Sequence, residues 1–75
     1  MSVKIIIGYL RLFNRVLQQE QVDLSKVVEQ ELWITFQNCL EHPDEQDFDV
    51  ERYVVLLQAA QSYFSRPITL VLAEH

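Results

Sequence analysis

The sequence predicts an all-α fold: a three-helix antiparallel bundle with an apolar C-terminal tail docked on it, paired in a homodimer. Three observations predict it. Apolar residues recur at helical spacing over three stretches. The 75 residues include one Gly and two Pro, too little punctuation for a many-turned β-fold. Apolar residues make up 49% of the chain, and a chain this short buries only about 60% of the surface its unfolded form exposes. A second copy is the simplest cover for the surplus. The whole chain, 1–75, reads as one small helical domain.

The first helix is expected from Lys4 to Gln19. Ile5, Tyr9, Leu12 and Val16 form one apolar stripe, and Ile6, Leu10, Phe13 and Leu17 a second beside it. Lys4, Gly8, Arg11, Arg15 and Gln18 lie opposite. The three consecutive isoleucines also permit a strand at Val3–Ile7.

The second helix is expected to start at Asp23, a good N-cap, with Val22 and Val27 at the spacing of a hydrophobic staple. It should end near His42, before Pro43. Leu24, Val28, Leu32, Phe36 and Cys39 share one side, widened by Trp33 and Leu40; Val27 and Ile34 fall off that face. Residues Glu41–Glu51 hold six acidic residues and no basic ones, which reads as a loop. The third helix, Val50 to Ser65, follows with Asp49 as N-cap and Phe48 and Tyr53 at staple spacing. Val55 and Ala59 interrupt its polar half, and Pro67 ends it. The tail from Pro67 to His75 is too apolar for a free terminus. Thr69 and Val71 suit a short strand, Leu70, Leu72 and Ala73 a helical turn, and either should dock on the bundle.

Net charge is −5, with residues 1–20 at +2 and residues 21–75 at −7. An acidic chain argues against direct nucleic-acid binding, because phosphate contacts need a basic patch. It is compatible with a basic protein partner. The N-terminal apolar run is interrupted by Gly8, Tyr9 and Arg11 and has no small-residue cleavage site, so it does not read as a signal peptide. Nothing approaches the ~20 apolar residues that span a bilayer. A cytoplasmic protein without membrane contact is expected.

Catalytic chemistry finds little to use. Cys39 and His42 lie three apart at a helix end, but a nucleophilic pair needs an orienting third group and a pocket. Cys39 reads as a packing residue. Cys39, His42 and Asp44 fall short of a structural zinc set. The Asp47-x-Asp49-x-Glu51 spacing lacks the mid-loop Gly of a calcium loop. Gly8 alone cannot make a phosphate loop. The expectation is a protein that is not an enzyme, with no catalytic residues, cofactor or metal.

The expected function is therefore a non-catalytic protein–protein interaction module: an adaptor, assembly factor or small chaperone. Trp33, Ile34, Ile68, Leu70 and Leu72 are the expected apolar contacts. The alternative is an acidic inhibitor of a basic target protein, such as an immunity protein, antitoxin or anti-defence protein. There Asp44, Glu45 and Asp47 would face the target. Tyr9-Leu10-Arg11-Leu12-Phe13 loosely resembles the opening helix of the LYR-motif proteins, small helical adaptors. The resemblance covers one helix. The order here is Tyr-Leu-Arg where the family has Leu-Tyr-Arg, and the acidic charge departs from that usually basic family, so no site residue is carried over.

Overall fold

The computed structural model describes residues 6–44 and 47–74. Lys4, most of the competing strand at Val3–Ile7, and Glu45 and His75 lie outside them; the first helix starts at Ile7 and not Lys4, because Ile6 ahead of it is extended (φ −71°, ψ 136°). The described chain forms four helices: α1 (Ile7–Gln19), α2 (Gln30–Glu41), α3 (Val50–Gln61) and α4 (Ile68–Ala73). Helix accounts for 64% of it, and no strand occurs among the described residues.

In α1 the inward positions are Leu10, Phe13, Val16 and Leu17. Arg11, Arg15 and Gln18 point outward, as an amphipathic wheel requires. The helix stops without a glycine. The Val22 N–H donates to the Leu17 carbonyl (2.8 Å) and the Gln21 N–H to that of Gln18 (3.3 Å). This is a Schellman closure. Gln21 occupies the left-handed position at φ 58°, where an L-residue with a Cβ is strained by about 1 kcal/mol relative to glycine.

The start of α2 corrects the expected one by seven residues, Gln30 in place of Asp23. Asp23 does cap, but it caps a turn: the Ser25 N–H and Oγ–H both donate to its Oδ1, at 2.9 and 2.6 Å. Those two bonds hold the Asp23 carboxyl below its ordinary value of 3.8. Their contribution is complete above that pH and fades as acid protonates the group. The Val27 and Val28 N–H groups close a single turn on the Leu24 carbonyl. The chain then straightens at Glu29 (φ −60°, ψ 140°) before α2 begins. Local Asp–Ser bonding competes with helix, and β-branched Val27 and Val28 add little to keep one going. Leu24 is fully enclosed in the core, which pins the turn. Val27 is exposed, so the expected staple with Val22 does not bury it.

In α3 the predicted cap is present: Asp49 accepts from the Arg52 N–H at 2.9 Å. Replacing Asp49 with Ala should cost about 1 kcal/mol, and Asn should recover most of it. Urea titrations of the two variants check this. The helix ends at Gln61 and not Ser65, because the next residues are fastened by the Gln61 side chain. Its Nε2 donates to the Arg66 carbonyl (2.7 Å) and more weakly to that of Phe64 (3.4 Å). Its Oε1 accepts from the Ile68 N–H (2.6 Å). That last bond satisfies one of the N–H groups a helix start leaves open.

The tail is helical. Ile68 and Val71, three apart, point into the core from α4. Arg66 and Glu74, at opposite ends of α4, form an exposed ion pair, the kind that contributes about 0–1 kcal/mol. α1 packs on α2 and α4, and α4 on α3. Phe13 lies at the centre, edge-on to Phe36 (5.9 Å) and Tyr53 (5.7 Å). Phe36 also meets Phe48 at 5.9 Å. The radius of gyration, 11.8 Å, is close to the roughly 11 Å expected of a compact domain this long.

Candidate interaction surface

The four helices do not pack equally on one another. α2 and α3 pack on one another less closely than α1 packs on α2 and α4. Between them lies a groove of about 290 Å³, lined by Glu29, Glu31, Leu32 and Thr35 on one side and Arg52 and Val55 on the other. Val55 is 47% exposed. Ile34, also 47% exposed, is not among the residues that line the groove; it points outward from α2, one helical turn from Glu31. Arg52 is drawn toward Asp49 (4.0 Å). Glu29 and Glu31 form no ion pair among the described residues.

The other expected contact residues are dispersed. Trp33 is half-buried, with its ring tilted on Phe36 at 5.4 Å. Ile68, read from the sequence as a contact residue, is 7% exposed and belongs to the core: the helical form of the tail turns it inward with Val71. Leu70 is 54% exposed on the outer side of α4, and Leu72 is intermediate. Asp44 and Asp47 are exposed in the α2–α3 loop. Exposed Tyr9, Val54 and Tyr63 were not marked by the sequence reading. Tyr9 and Tyr63 sit on or beside apolar stripes, and only packing decides which members of a stripe are covered.

Cys39 is enclosed in the core. Burial pushes its thiol up, Asp47 adds to this, and Arg52 opposes it. A thiol held protonated and covered is a poor nucleophile. Iodoacetamide at pH 8 should modify Cys39 far more slowly than a free thiol, with denaturant removing the difference; mass spectrometry over time reads this out. Burial also pushes the Tyr53 phenol up, with Tyr9 adding to it. Among the described residues no group of three His, Cys, Asp or Glu side chains is placed to hold a metal ion. No helix there is long and apolar enough to cross a membrane. No family model, curated protein or solved structure matches the chain.

Proposed function

We propose that the protein is a non-catalytic interaction module, an adaptor, assembly factor or small chaperone, which holds a protein partner on the open side between α2 and α3. In this proposal the bundle is antiparallel, works in the cytoplasm and functions as a homodimer. One observation carries the reading: Val55 stays half exposed beside Leu32 in the groove although the core is already closed around Phe13 and Phe36. An apolar strip rimmed by charged side chains is the usual signature of a surface that another protein covers. Single exposed apolar residues are common and mean little; the setting of Val55 and Leu32 in one groove with charged side chains on its walls is what supports a partner.

A photo-crosslinking side chain placed at Glu31 or Val55 in the native cell tests this. Protein adducts are expected from both positions, and few from Thr69, exposed on α4. Adducts no more frequent at the groove than at Thr69 would reject the reading.

A further inference from the structure

The geometry points to one occupant for the α2–α3 groove: the outer face of α1 from a second copy of this chain. This rests on the interaction-module reading above and goes further, because it names both halves of the contact. The groove combines an apolar floor, Leu32 and Val55, with two carboxylates, Glu29 and Glu31. Arg52, the one cation among the lining residues, lies 4.0 Å from Asp49, so the lining carries two carboxylates against one cation that already has a carboxylate beside it.

The complementary surface lies on the same molecule. Arg11 and Arg15 project from α1 into solvent and form no ion pair among the described residues. Four residues apart on a helix, they are separated by ~6 Å along its axis. Glu29 and Glu31 are two residues apart, no more than about 7 Å. Leu12, half-buried, lies next to the arginines around the helix, and Tyr9, exposed, lies beyond it; the two would supply apolar area to meet Leu32 and Val55. Gly8 completes this flank with no side chain of its own, and the space where a Cβ would sit is open to 4 Å. The charge division of the chain, positive before residue 21 and negative after it, thus becomes a division between two faces that attract. Each copy offers one of each, and where a two-fold axis relates the copies the contact is made twice. A contact built on exposed charges is salt-sensitive.

Sedimentation equilibrium of the purified full chain, over concentration and salt, tests this with a charge swap. The wild type should pass from 8.9 kDa toward twice that mass, and less readily at high salt. R11E with R15E should weaken pairing at least tenfold, and so should E29K with E31K. An equimolar mixture of the two double variants should regain it, because each supplies the face the other has reversed. All four positions are exposed, and circular dichroism confirms that the variants fold. A particle that stays at 8.9 kDa throughout, pairing indifferent to the substitutions, or a mixture that fails to recover would each overturn the inference. A monomeric wild type together with abundant adducts from Val55 to other proteins would reject the second copy as occupant while leaving the interaction module standing.

Discussion

Replacing Phe36 with Ala should remove most of the protein's stability. Phe36 is fully enclosed, and its ring meets Phe13, Trp33 and Phe48 with centroids 5.4 to 5.9 Å away. It is therefore the side chain through which α1, α2 and the approach to α3 touch. Truncating a buried phenylalanine costs about 3–5 kcal/mol. A domain of this length has only about 4–11 kcal/mol in total. The melting temperature should fall by at least about 12 °C, followed by circular dichroism. Ile34→Ala, on the same helix but half exposed, should change it little. A Phe36→Ala variant within a few degrees of the wild type would show that the aromatic cluster is not the centre of the fold.

Gln61→Ala should have the second largest effect, and a local one. The side chain uses both ends of its amide: the NH₂ serves the carbonyls of Arg66 and Phe64, and the oxygen takes the Ile68 N–H. Without it, partly buried backbone groups lose their partners, at a cost of about 1–3 kcal/mol. The loss should be felt first in α4, which Gln61 fastens at its first residue. Hydrogen exchange of the Leu70, Val71 and Glu74 amides should accelerate well beyond that of α1. Gln61→Glu restores the acceptor but sets a carboxylate against two carbonyl oxygens. It should be as damaging as Ala at neutral pH and recover partly in acid, when the protonated group regains a donor. Equal acceleration in α1 and α4 would mean that Gln61 does not act locally.

Much of the fold could be read from the chain, and the exceptions have physical causes. α1 and α3 were legible because their stripes run for three turns or more, and because Asp49 lacks a competing partner two residues on. Asp23 has one in Ser25, so a good cap signal marked a turn instead of a helix. The tail was undecidable because, over six residues, Ile68, Leu70 and Leu72 fit a strand's alternation while Ile68 and Val71 fit a helix's spacing; enclosure of Ile68 and Val71 against the core selects the helix. The same event takes Ile68 off the surface. Ile34 and Val55 were visible as residues that their helical faces could not hold, and both are half exposed. The groove itself was not visible, since it depends on how far apart α2 and α3 stand. Nor was the role of Gln61, which sits among other polar residues of α3 and differs from them only through the path of the chain beyond it.

The packing of α1 on α4 has a consequence for synthesis. The two helices stand at opposite ends of the element order, so Leu10, Phe13 and Leu17 leave the ribosome long before Ile68 and Val71 exist to help cover them. Until translation has delivered α4, the nascent polypeptide carries an uncapped greasy flank. Exposed apolar surface on an unfinished chain is prone to aggregate.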